Sequence, residues 1–216
     1  MARLATRVAR TQTQAKSLAM LMYLQRGIPV IYYGEELGLK NLHFTSADQF
    51  EDQTVAPWLK DAEKVLSKDA ALAMVSETHK LPARGPMPWD ATENHGFSEV
   101  KPWITGIKQD DACVANEIND TTSMFNFYKE LLELKKEALF QIGTYYMIST
   151  DKNSYVYQRD LHDESAIVAV SLSDQKTTVE IPAGYTVATL KAGEYQLTNE
   201  KLTLMPYAGV VLKKEN

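Results

Sequence analysis

Two textures of apolar and polar positions divide the chain. In the first, apolar residues recur three and four apart. Residues 13–26 put Leu18, Leu21, Met22 and Leu24 on one face ahead of Gly27, which predicts a helix with a glycine stop. Residues 29–33 are apolar on both sides, the pattern of a strand buried in a helix-covered parallel sheet. Helix then buried strand is one step of a β/α repeat. Residues 62–75 hold Ala70, Ala71, Leu72 and Met74 and predict another helix. Residues 122–138 give the clearest helix. Met124, Tyr128, Leu131 and Leu132 share a face, Asp120 or Thr121 is the N-cap, and Lys135 and Lys136 lie near the C-terminus.

Between these helices the pattern breaks down. Asp48, Glu51, Asp52 and Asp61 make an acidic loop. Pro82, Pro86, Pro88 and Pro102, with repeated Gly, Trp and Asn, leave no regular element over residues 81–102. A loop this long in a compact protein is usually functional. After Phe140 the second texture begins: short alternating segments at 143–149, 154–159, 166–171, 177–181, 186–190, 201–205 and 209–212, separated by turn residues. That is the signature of an antiparallel β-sandwich. Two domains are expected, residues 1–139 and 140–216.

Composition narrows the function classes. The 216 residues are 44% apolar and 24% charged, as in an ordinary globular protein. A formal charge of −5 argues against nucleic acid as a partner. The single cysteine, Cys113, forms no intrachain disulfide and no thiolate metal cluster, and it fits a reducing, cytoplasmic setting. No apolar run reaches membrane-spanning length, so no membrane partner is expected. Arg3, Arg7 and Arg10 precede the first helix without an apolar leader or cleavage site, and the segment reads as mature protein.

Two motifs carry the chemistry. One is Tyr32-Tyr33-Gly34-Glu35-Glu36-Leu37-Gly38. The other is Ala83-Arg84-Gly85-Pro86-Met87-Pro88-Trp89-Asp90, continued by Asn94-His95-Gly96-Phe97 and Lys101-Pro102-Trp103. Together they resemble the α-amylase superfamily, glycoside hydrolase family 13, in its oligo-1,6-glucosidase and α-glucosidase branch. Gly85 and Pro88 stand where that branch usually has threonine and glutamine, which alters the loop's stiffness.

The resemblance implies an α+β architecture, the end of a (β/α)8 TIM barrel followed by an antiparallel β-sandwich. Residues 13–26 resemble the seventh barrel helix, 29–33 the eighth strand and 122–138 the eighth helix. The implied activity is retaining hydrolysis of non-reducing-end α-glucosidic bonds in short oligosaccharides, with α-1,6 linkages favoured. No cofactor and no metal is implied. Retention requires two carboxyl groups roughly 5 Å apart across the bond. In the family those residues, and a third carboxylate, follow the fourth, fifth and seventh strands, upstream of Met1. The chain is therefore expected to hold none of the catalytic residues and to turn over nothing alone. Residues 1–119 are expected to be aggregation-prone or held by a partner, the remaining part of the barrel, with helix 13–26 losing most of its packing surface. Two rivals stand beside this: a complementing subunit of a split enzyme, and a non-catalytic carbohydrate-binding module with Tyr145, Tyr155 and Tyr185 as a stacking platform.

Each motif residue also has a plainer reading. Glu35 and Glu36 would point to opposite sides of an extended chain, so a structural role is favoured over an acid/base pair. Arg84 is the substrate-binding candidate, since a guanidinium fork suits sugar hydroxyls; its plain alternative is a loop ion pair. The resemblance gives Trp89 and Asp90 supporting roles. Trp89 and Trp103 are read as loop anchors and Trp58 is left open. His43, His79, His95 and His162 lack metal-ligand spacing and are read as surface or loop residues, with His95 near the pocket. Asp48, Glu51 and Asp52 lack the regular spacing of a calcium loop and read as a solvated acidic turn.

Overall fold

The computed structural model describes residues 2–106, 108 and 111–215. Among the described residues there are seven α-helices: α1 (Leu4–Arg7), α2 (Gln12–Tyr23), α3 (Val55–Ala62), α4 (Lys68–Thr78), α5 (Val114–Glu117), α6 (Met124–Lys135) and α7 (Ala138–Ile142). Eight strands follow among the same residues: β1 (Thr144–Thr150), β2 (Ser154–Leu161), β3 (Glu164–Ser171), β4 (Thr177–Glu180), β5 (Tyr185–Ala192), β6 (Tyr195–Thr198), β7 (Lys201–Leu204) and β8 (Gly209–Lys214). Helices first and antiparallel sheets second is the α+β order expected. By contacts the chain divides into two compact units, one of residues 1–10 and 31–126, the other of residues 11–30 and 127–216.

The second unit has three layers. A five-stranded sheet, in the order β1-β2-β3-β8-β5, faces a three-stranded sheet, β4-β7-β6, and every neighbouring pair is antiparallel. Val156, Ile167, Ala169, Val210 and Leu212 from the larger sheet meet Val179, Leu202 and Leu204 from the smaller one in a single core. Strand β3 departs from simple alternation, because residues Ala166, Ile167, Val168, Ala169 and Val170 are all fully buried. Its second face is covered by α2 and α7, which requires apolar side chains on both sides.

Helix α2 packs one face on the larger sheet. Its buried face is Ala15, Ala19, Met20 and Tyr23, with Leu24 just beyond the helix. Of the expected stripe, Leu24 is fully buried, Leu18 and Leu21 are half-buried and Met22 is exposed. Small residues at positions 15 and 19 let the helix lie close to the sheet, and the Ser17 hydroxyl donates to the Tyr207 carbonyl at 2.6 Å. Thr11 caps the helix by accepting from the Gln14 amide at 3.2 Å.

A buried cationic knot ties α2, α7 and β1 together. Arg159 has no solvent exposure. Its guanidinium donates to the carbonyls of Leu24 (2.6 Å), Phe140 (3.2 Å), Gly143 (2.9 Å) and Thr144 (3.0 Å). Lys135 Nζ donates to the carbonyls of Gln25 (2.6 Å) and Phe140 (2.7 Å). These are chain-end carbonyls left unpaired by two helices, and cations suit them. Burial lowers the pKa of both groups, and their mutual repulsion adds to the effect on Lys135.

The first unit packs around Phe44, Phe50, Val55, Leu59, Ala71, Leu72, Val75, Leu81 and Ile104. Here α3 and α4 form the helical wall; the predicted helix over 62–75 starts too early, since residues 63–67 are a turn between the end of α3 and the start of α4. Ser67 caps α4 through the Ala70 amide. The segment at 29–33 forms no strand, since it has no ladder partner among the described residues, and Ile28 and Val30 beside it are 92% and 84% exposed. Helix α6 is capped by Ser123 rather than Asp120 or Thr121. The Ser123 hydroxyl accepts from the Asn126 amide at 3.0 Å, while Asp120 closes a turn onto Thr122.

Candidate functional site

In the first unit, a cleft of about 510 Å³ is lined by Tyr33, Glu36, Arg84, Gly85, Pro86, Met87, Trp89, Phe97, Pro102, Trp103 and Ile104. Both sequence motifs therefore meet in one place, although fifty residues separate them.

The backbone carrying Arg84 is fixed from both sides. Leu81–Arg84 is a 3-10 turn started by Pro82. The Tyr32 hydroxyl donates to the Ala83 carbonyl at 3.3 Å, and the Tyr33 hydroxyl donates to the Gly85 carbonyl at 2.8 Å. Burial first, and the adjacent Tyr32 second, push the Tyr33 pKa up to about 12, so its proton stays available for that bond. Arg3 holds the two tyrosines in turn. It lies 5.1 Å from the Tyr32 ring centre and 4.8 Å from that of Tyr33, and it donates to the Tyr33 carbonyl at 2.6 Å. Arg3 is itself anchored through Asn41, whose side chain accepts from the Arg3 amide at 2.9 Å and donates to the Ser76 and Glu77 carbonyls.

On this clamped turn the Arg84 side chain is exposed. It makes no hydrogen bond or ion pair among the described residues. The loop ion pair, its plain alternative, is absent from this arrangement. The guanidinium offers planar donors to a ligand in the cleft.

Glu35 and Glu36 do diverge, but through a different backbone from the one expected. They sit in a 3-10 turn, Glu35–Leu37, bounded by Gly34 and Gly38 at φ 83° and 66°. Glu36 faces the cleft, and its Oε2 is buried without a hydrogen-bond partner among the described residues. Glu35 lines a smaller neighbouring cavity with Arg3, Lys80 and Arg84. The pair does not converge on one point, so it is no acid/base couple.

Trp89 and Trp103 are not buried anchors: 51% and 69% of their surface is exposed, and both line the cleft. Trp103 donates its indole N–H to Glu51 at 2.7 Å. Asp90 lies behind the wall, accepting from the Thr92 amide and hydroxyl at 2.8 and 2.5 Å, and chiefly the hydroxyl bond lowers its pKa. The amides of Trp89 and Asp90 donate to the His95 carbonyl. His95 lines an adjacent small cavity rather than the main cleft.

His79 departs from the surface reading. It is buried, bonded to Asp52 at 3.1 Å and packed edge-on against Phe50. Tyr185 departs from the module reading. Only 4% of it is exposed and its hydroxyl bonds Ser165, so it offers no sugar platform. Among the described residues no group of three or more His, Cys, Asp or Glu is arranged to hold a metal ion. No helix there is long and apolar enough to cross a membrane.

The model of the family described as alpha amylase, catalytic domain, matches residues 1–143. An oligo-1,6-glucosidase of Bacillus cereus is 31% identical over 211 residues, covering 92% of this chain and 38% of that protein. A trehalose-6-phosphate hydrolase of Bacillus subtilis (strain 168) is 30% identical over 214 residues, covering 92% and 37%. Among solved structures, a family GH13_31 enzyme superposes with a TM-score of 0.92 at 74% identity, covering all of this chain and 40% of that one. The chain thus spans about two-fifths of the length of the proteins it matches, and it belongs to the α-amylase family, glycoside hydrolase family 13.

Proposed function

We propose that the chain supplies one wall of the glucose pocket of a retaining α-glucosidase, acting on the non-reducing end of short α-gluco-oligosaccharides, with α-1,6 linkages favoured. The observation that carries this reading is the unpaired Arg84 guanidinium, held on a clamped turn beside Trp89, Trp103 and Phe97. Planar donors beside aromatic faces suit a pyranose, whose hydroxyls and C–H faces need both. The second carboxyl group that retention needs does not converge with Glu36 here, because Glu35 turns away from the cleft.

Turnover therefore requires carboxylates from outside this chain. The exposed Ile28 and Val30, in a stretch that pairs with no strand among the described residues, favour docking to a companion that completes the barrel. The test uses p-nitrophenyl α-glucoside. This chain alone releases no p-nitrophenol, and mixing it with a companion chain carrying the catalytic carboxylates restores release. In that mixture Arg84→Ala raises KM at least tenfold. Hydrolysis by this chain alone, abolished by removing one of its own carboxylates, overturns the proposal.

A further inference from the structure

Arg84 and Trp103 both line the cleft. A short acidic turn contacts Trp103 directly and reaches the turn bearing Arg84 through His79. Glu51, at φ 46°, accepts from the Trp103 indole at 2.7 Å. Its neighbour Asp52 accepts from His79 Nε2 at 3.1 Å. His79 Nδ1 accepts from the Leu81 amide at 3.3 Å, and Leu81 is the first residue of the 3-10 turn that ends at Arg84. One polar chain therefore runs from Trp103 through Glu51, Asp52 and His79 to the turn bearing Arg84.

The chemistry of this chain is specific to one form of the imidazole. An Nδ1 that accepts an amide proton has no proton of its own, so the ring is neutral with its proton on Nε2, directed at Asp52. The surroundings enforce this arrangement. Phe50 meets the ring edge-on at 5.3 Å and Trp58, from α3, at 6.4 Å. Asp52, from the turn before α3, is the charged group bonded to the ring. From its own side the ring meets the Leu81 amide, beyond the end of α4. A second proton can enter only at Nδ1, where it confronts the Leu81 N–H donor to donor. Protonation thus breaks the link to the Arg84 turn while leaving the link to Asp52 intact.

We propose that His79 is a positioning residue for Arg84. In its neutral form it sets the distance between the Arg84 and Trp103 walls, and on protonation it releases the Arg84 turn. The consequence for sugar binding rests on the reading of Arg84 given above; the coupling itself does not, and it is measured without sugar.

The experiment is a pH titration of the full chain followed by ¹⁵N NMR. It observes the His79 ring nitrogens, the Leu81 amide, the Arg84 Nε–H and the Trp103 indole N–H. The expected result has three parts. The neutral ring shows the Nε2–H tautomer. The Leu81 and Arg84 signals move with the same midpoint as the His79 ring. In His79→Gln, which retains a donor for Asp52 but lacks the Nδ1 acceptor, that shared transition is gone while the fold is kept. His79→Asn, which places an acceptor near Nδ1 but falls short of Asp52, keeps the Leu81 signal near its neutral position and shifts the Trp103 indole instead. The Nδ1–H tautomer, or a His79 titration that leaves Leu81 and Arg84 still, overturns the inference. If His79→Gln unfolds, the wild-type tautomer and shared midpoint still decide. Should the coupling hold while Arg84→Ala leaves KM unchanged in the completed enzyme, the pocket reading fails and this inference stands.

Discussion

Lys135 and Arg159 share one acceptor, the Phe140 carbonyl, at 2.7 and 3.2 Å. Two buried cations meet there without a carboxylate between them, neutralised only by backbone dipoles. Each also covers carbonyls of its own, Gln25 for Lys135 and Leu24, Gly143 and Thr144 for Arg159, and their roles differ in size.

Arg159→Leu is expected to cost about 3–5 kcal/mol, because it strands several buried carbonyls at once. Lys135→Met is expected to cost about 1–3 kcal/mol, since Phe140 keeps its bond to Arg159. The double variant should lose less than the sum, the two residues being coupled. Urea unfolding followed by far-UV circular dichroism checks this. A loss under about 1 kcal/mol for Arg159→Leu would show the knot to be dispensable.

The acid limb of stability should depend on Asp52. Its hydrogen bonds, first to the Thr54 hydroxyl, hold its pKa at about 2, below the ordinary carboxylate range. A depressed carboxylate contributes stability that is fully present above its unfolded pKa and lost as pH falls through its folded one. Asp52→Asn should therefore flatten part of the fall in melting temperature between roughly pH 4 and pH 2. Unchanged acid profiles in wild type and variant would show that Asp52 contributes nothing there.

Tyr33→Phe removes the hydroxyl that holds the Gly85 carbonyl. A cost of about 1 kcal/mol is expected, with faster hydrogen exchange confined to the residues around Arg84. Exchange that rises uniformly across the chain would point to a general loss of packing instead.

Gly143 sits where α7 turns into β1. A Cβ built there would overlap the Leu139 carbonyl oxygen and lie 2.9 Å from that of Asp160. Backbone atoms cannot swing aside as side chains do, so Gly143→Ala should lower the melting temperature by several degrees. A melting point within one degree of wild type would mean that the α7–β1 corner moves freely.

Seven of the eight strands among the described residues are marked out by the turn residues between them; β3 does not alternate, because α2 and α7 cover its other face. The eighth, Tyr195–Thr198, alternates, but four residues at a sheet edge give little to see. The buried face of α2 is misjudged from sequence for a definite reason. Leu18, Leu21 and Met22 suggest one stripe by size, yet the face against the sheet combines Met20 and Tyr23 with the small Ala15 and Ala19. Arg84 and Trp89 are visible through their motif. The tyrosine clamp and the Glu51, Asp52 and His79 chain are not, since each joins residues far apart in sequence through groups with no periodicity. The His79-Lys80-Leu81-Pro82 stretch carried one clue, a histidine between a helix end and a proline turn. That position favours a side chain bonding its own backbone two residues on.

The second compact unit is assembled from residues on both sides of the first, so residues 31–126 are in effect an insertion within it. A polypeptide cut near residue 140 would discard the helix roofing the larger sheet, the Ser17 hydroxyl that satisfies Tyr207 and the Leu24 carbonyl that meets Arg159. An isolated form of the second unit keeps these contacts if Val30 is spliced to Phe127 through a flexible bridge, and loses them on truncation.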